Sequence, residues 1–143
     1  MNAIASTHAP AGSAALNAQQ SGVMIVAGIV LWYAAAVLLR ALSDAQLLGG
    51  STGALVFAAT VPGTLPFVLL LRRLGGLGAD QVVPGYTLAT TAALLCDGVA
   101  MTWYPALYGA DDTAARLAAG GVIFGGAVGL ALAFFVAAQM RRN

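Results

Sequence analysis

Asp97 is the residue best placed to do chemistry in this 143-residue chain. It sits in the apolar run LLCDGVAMTWYP, from Leu94 to Pro105. A charged Asp near the centre of a membrane helix costs about 2.5–3.5 kcal/mol, whereas each Leu or Ile returns only about 0.3–0.6 kcal/mol. The run around Asp97 also holds Thr87, Thr90 and Thr91, so its apolar surplus is small. Asp97 is therefore expected to be neutral, paired, or facing water. An intramembrane carboxylate is a functional-site candidate by default. The competing reading is a helix-locking hydrogen bond or ion pair with no ligand.

Arg40 is the natural candidate partner. It falls in the last turn of a first apolar span that runs in the same direction as the span carrying Asp97. The two differ in depth by about five residues, or roughly 8 Å along a helix axis. Helical side chains lean toward the N-terminus, which tips Arg40 toward the level of Asp97. Three arrangements stay open: the Arg40–Asp97 pair, an Arg40 that snorkels outward to the headgroups, or another arrangement of Arg40. Trp32 and Tyr33 read as packing residues of the first span, with Tyr33 a further candidate donor to Asp97.

Other chemistries lack their residues. Cys96 and His8 are the only cysteine and histidine, which argues against a disulfide, a metal site, haem or any other cofactor. The sequence contains no HExxH, P-loop, dinucleotide fingerprint or paired carboxylates, so it does not read as an enzyme. The net charge of +1 points to no nucleic-acid partner.

These residues must be held by elements that composition specifies well. The chain is 60% hydrophobic and 8% charged, with a mean hydropathy of +0.88. A soluble domain carries about a quarter charged residues. The expectation is an integral membrane protein whose immediate partner is the lipid bilayer. Residues 1–21 read as a flexible tail, without the charged start of a signal peptide. Residues 22–143 read as one domain with four spans, at about 23–42, 52–71, 85–104 and 117–140. Each is near the ~20 residues that cross ~30 Å of hydrocarbon. Backbone groups in lipid must bond internally, so each span is a helix. Short Gly- and Pro-containing links predict antiparallel consecutive neighbours, and hence an all-α, up-down four-helix bundle.

Arg72, Arg73, Arg141 and Arg142 fall on one side of that bundle, and Arg40 and Arg116 on the other with Asp44, Asp111 and Asp112. The arginine bias, four against two, is expected to place both termini in the cytoplasm. Tyr86 is expected to mark the cytoplasmic end of the third span, and Trp103, Tyr104 and Tyr108 its outer end, as an interfacial belt.

Small residues indicate the packing faces. Gly121, Gly125, Gly129, Ala133 and Ala137 recur every four residues, as do Gly85, Ala89, Ala93 and Asp97. Residues four apart share a helix face, so Asp97 is expected on the packing face of its helix, against the fourth-span stripe of this chain or of a second copy. Pro62 and Pro66 interrupt the second span. They are expected to kink it and to free the carbonyls of Ala58 and Pro62, with Thr60 and Thr64 near enough to satisfy the backbone.

The stretches LWYAAAVLLRAL, TVPGTLPFVLLLRRL and PGYTLATTAALLCDGVAMTWYPALYG give the chain a family likeness. Over roughly residues 23–140 it resembles a bacterial family of small membrane proteins, the domain of unknown function 5367. The shared features are Arg40 late in the first span, Asp97 in the third, and Trp103, Tyr104 and Pro105 after it. The resemblance implies four spans and no known activity. The leading expectation is a structural or accessory subunit, packing into a homo-oligomer or a larger membrane complex. The alternative is a small proton-coupled transporter acting through Asp97 as an oligomer. Small multidrug resistance exporters are analogous in size and span number, but they carry a Glu in the first span, where this chain has none.

Overall fold

The computed structural model describes residues 14–142. The expected tail lies outside the described residues as far as residue 13. The described residues contain four long helices and no strand: α1 (Ala18–Asp44), α2 (Gly50–Leu74), α3 (Val82–Trp103) and α4 (Asp112–Arg142), with a single 3-10 turn at Pro105–Leu107. The all-α four-helix bundle expected from composition is the fold. Even the shortest helix, α3 with 22 residues, reaches about 33 Å at 1.5 Å per residue. All four are long and apolar enough to cross a membrane.

Local chemistry explains the boundaries. Asn17 starts α1 as its N-cap, accepting from Gln20 N–H at 2.8 Å, while the Gln20 side chain accepts from Asn17 N–H at 3.0 Å. This reciprocal capping box satisfies two otherwise orphaned donors. It draws residues 18–21, expected in the tail, into the helix. Asp111 does the same for α4, accepting from the N–H groups of Thr113 and Ala114. The ends of α1 and α2 share one closing motif. Leu47 N–H reaches back to Leu42 O and Gln46 N–H to Ser43 O, as Leu77 N–H does to Arg72 O and Gly76 N–H to Arg73 O. Such Schellman ends require a left-handed residue. Gly76 supplies it at φ 56°, whereas at the end of α1 the bulkier Gln46 adopts φ 59°.

The chain alternates direction. The start of α1, the end of α2 and the start of α3 meet where Gln20 Nε2 donates to Gly75 O and to Gln81 Oε1, each at 3.2 Å. Arg141 at the end of α4 pairs with Asp80 at 2.9 Å at the same end. Consecutive helices are antiparallel, but they are not uniformly neighbours. The most extensive packing joins the parallel pair α1 and α3, followed by α2 with α4 and α3 with α4; α1 and α2 barely touch. A glycine explains the first pairing. A Cβ on Gly28 would overlap the carbonyl oxygen of Ala89, so the two backbones lie nearly in contact. Small residues let membrane helices reach this separation.

The central helix is α3, the least hydropathic of the four and the one with the largest buried share. Two apolar clusters fill the interior. One, at the arginine-rich end, gathers Met24, Val68, Leu71, Tyr86 and Ala133. The other, at the opposite end, gathers Ala36, Leu48, Ala100, Tyr108 and Ala118. Val26, Leu55, Leu95 and Ile123 are among the large apolar side chains left facing outward, as a lipid-facing surface requires.

Three expectations about packing need correction. The α4 stripe does face inward, but it receives a different residue at each step. Gly121 approaches Leu39 of α1, Gly125 approaches Thr60 of α2, and Gly129 leaves room for the Tyr86 hydroxyl of α3. The stripe is thus occupied within this chain, and the Ala89 face of α3 meets Gly28 of α1 instead. Tyr86, near the start of α3, is buried against α4 rather than turned outward as a belt residue would be. In α2 the helix continues unbroken through Pro62 and Pro66, both of which face outward. Thr60 and Thr64 do not take up the carbonyls of Ala58 and Pro62. They donate to Val56 O at 2.9 Å and Thr60 O at 2.7 Å, each one turn back along the helix.

Candidate functional site

Asp97 is turned inward, as its spacing from Gly85 and Ala89 predicts, and only 8% of it is exposed. Gly85 and Ala89 are also buried and Ala93 is half-buried. Arg40 is not its partner. The Arg40 Nε lies 2.9 Å from both carboxylate oxygens of Asp44, one turn along the same helix, and its Nη1 donates to the carbonyl of Ala106. A carboxylate four residues away meets the guanidinium with little loss of side-chain freedom. The distant Asp97 offered no such pairing. Arg40 therefore ties the end of α1 to the 3-10 turn rather than neutralising the buried acid.

The partners of Asp97 are Trp32 and Tyr108. The Tyr108 hydroxyl donates to Asp97 Oδ1 at 2.5 Å. The Trp32 indole Nε1–H points at the same oxygen at 3.0 Å, and at the Tyr108 hydroxyl, also at 3.0 Å. Three side chains thus close a triangle around one carboxylate oxygen. Each comes from a different piece of backbone. Trp32 lies one helical turn beyond Gly28, on the α1 face that Gly28 brings against α3. Tyr108 follows the Pro105–Leu107 turn, where Tyr108 N–H bonds Pro105 O and folds the chain back under α3. Its neighbour Gly109 is buried against Ala114, where a Cβ would not fit.

Two aromatic assignments change as a result. Tyr108 is wholly buried rather than part of an interfacial belt, while Trp103 and Tyr104 are 68% and 69% exposed, as a belt requires. Tyr33, a candidate donor to Asp97, faces outward at 58% exposure, and Trp32 takes that role. Burial, together with the hydrogen bond to Asp97, pushes the Tyr108 phenol above its usual range, so it stays a proton donor at neutral pH.

The second carboxylate oxygen differs from the first. Oδ1 accepts both bonds, and no described residue donates to Oδ2. Among the described residues no fully buried side-chain oxygen or nitrogen lacks a partner, so Oδ2 retains access to its surroundings. Beside this site, Trp32, Cys96, Trp103 and Tyr104 line an open, apolar groove of about 950 Å³.

The triangle could be found only in part from the sequence. The Gly28–Trp32 spacing marks one face of α1, but nothing in the order of residues says that this face meets α3. Pro105 signals a turn after α3, and that turn returns Tyr108 to the bundle. Comparisons with family models, with curated proteins and with solved structures find no match to this chain.

Proposed function

We propose that this membrane protein is a structural or accessory subunit of a bacterial inner-membrane assembly, with both termini on the cytoplasmic side. One observation carries the reading: Asp97 acts as a clamp within the fold. Its Oδ1 binds α1 through Trp32 and the α3–α4 connection through Tyr108. A buried polar network of this kind holds helices in one arrangement, because leaving any member unpaired in a low-dielectric interior is costly. The four-to-two arginine bias toward one end supports the orientation. Kinship with the domain of unknown function 5367 family is likewise a proposal; it implies four spans and no activity, so it leaves this reading unchanged. The test is affinity purification from native membranes at native expression, with quantitative identification of what accompanies the chain. Stoichiometric recovery of a second copy or of another membrane subunit is expected. Recovery of the chain alone, as a monomer, sinks the proposal.

A second reading rests on Oδ2. A carboxylate with one locked and one accessible oxygen suits proton exchange, as in a small proton-coupled transporter. Addition of a lipophilic aromatic cation to the detergent-solubilised protein would then release protons, and Asp97→Asn would abolish the release. Absence of release from the wild type, or equal release from the variant, removes this reading.

A further inference from the structure

We propose that the groove between α2 and α4 at the arginine-rich end holds one anionic phospholipid, with the headgroup phosphate on Arg72. The groove has a volume of about 470 Å³. Leu65 and Leu69 of α2 and Phe135 and Val136 of α4 form its apolar walls, and Arg72 and Gln139 supply its polar groups. From Leu65 to Arg72 is two turns of helix, about 10 Å. Arg72 lies in the last turn of α2, so the groove runs from hydrocarbon depth up to headgroup level. That is the layout of an acyl chain joined to a phosphate.

The charge balance at this end selects the headgroup. Asp80 is held by Arg141 at 2.9 Å. Among the described residues no carboxylate pairs with Arg72, Arg73 or Arg142. Arg72 is half-buried beside the groove, whereas Arg73 is exposed. Basic pockets between membrane helices favour anionic lipid headgroups. A zwitterionic headgroup would bring its own cation into the field of Arg72, Arg73 and Arg142, none of which pairs with a carboxylate among the described residues. The Gln139 amide adds an uncharged donor for a phosphate oxygen. This site is independent of the accessory role proposed above.

The test uses the full chain in neutral detergent, with native mass spectrometry counting bound lipid. Phosphatidylglycerol and phosphatidylcholine with identical acyl chains are titrated in parallel. One phosphatidylglycerol is expected to be retained in preference to phosphatidylcholine. Arg72→Gln should weaken it roughly fivefold, the loss expected for one basic residue at a membrane surface. Arg73→Gln should have a smaller effect, and Leu69→Trp should displace the lipid by filling the groove with Arg72 intact. Equal retention of the two lipids overturns the proposal. So does an equal loss from Arg72→Gln and Arg73→Gln, which would signal diffuse attraction. Displacement by inorganic phosphate at matched concentration, or full binding to Leu69→Trp, would also overturn it by removing the acyl chain from the site.

Discussion

Tyr108→Phe isolates the clamp around Asp97. The change deletes one oxygen and keeps the ring, which is wholly buried in the cluster with Ala36, Leu48, Ala100 and Ala118. Packing is therefore conserved, and the principal loss is the 2.5 Å donation to Asp97 Oδ1. Trp32 still donates to that oxygen, so the carboxylate keeps one of its two partners. A hydrogen bond contributes about 0.5–1.5 kcal/mol between neutral groups and about 1.5–3 kcal/mol where one partner is charged. Side-chain hydrogen bonds between membrane helices average about 0.6 kcal/mol, with a maximum near 1.7 kcal/mol. The short distance and complete burial place this bond toward the upper end of the membrane range, so the expected destabilisation is about 1.5 kcal/mol. Reversible unfolding in mixed micelles, titrated with a denaturing detergent, measures it. Tyr104→Phe is the control, since Tyr104 is 69% exposed; it should stay within about 0.5 kcal/mol of wild type. Arg40→Gln and Asp97→Asn should couple by less than about 1 kcal/mol, because the two meet only through the short connection that Arg40 holds at Ala106 and Asp97 holds at Tyr108. A neutral Tyr108→Phe, together with coupling of more than about 1 kcal/mol between Arg40 and Asp97, would mean that the ion pair forms and the triangle does not.

Four further outcomes follow from the same geometry. Because the folded state raises the Tyr108 phenol, its contribution is fully present below the ordinary tyrosine value of about 10 and declines as pH rises beyond it. Alkaline unfolding of the wild type should steepen there, and Tyr108→Phe should remove that part of the slope. Gly28→Ala places a methyl group against the Ala89 carbonyl and should cost roughly 1–3 kcal/mol. Gly63→Ala meets nothing within 4 Å and should stabilise α2 by up to about 1 kcal/mol. Gln46→Gly relieves a left-handed side-chain residue at φ 59° and should raise stability by up to about 1 kcal/mol in the same unfolding assay.

Composition and periodicity were enough for the four spans and for the inward turn of Asp97, because both depend on spacing along single helices. Lipid demands long apolar helices regardless of how they meet. The run from Gly85 through Ala89 to Asp97 records one face of α3 without reference to any neighbour. The four-residue interval from Arg40 to Asp44 also stands in the sequence, but whether Arg40 meets Asp44 or Asp97 depends on how α1 and α3 are placed.

Which helix receives each face is decided between helices. The closeness of α1 to α3 depends on a hydrogen atom at Gly28 opposite the Ala89 carbonyl, a complementarity between positions 61 residues apart. The burial of Tyr86 depends on the matching space at Gly129, and that of Tyr108 on a 3-10 turn that folds back instead of continuing into the interface. A bundle of apolar helices with a carboxylate facing inward thus follows from residue order alone. That Trp32 and Tyr108 hold this carboxylate by one oxygen follows only from how the helices meet, because hydrogen-bond partners are chosen by distances of a few ångströms that no single helix encodes.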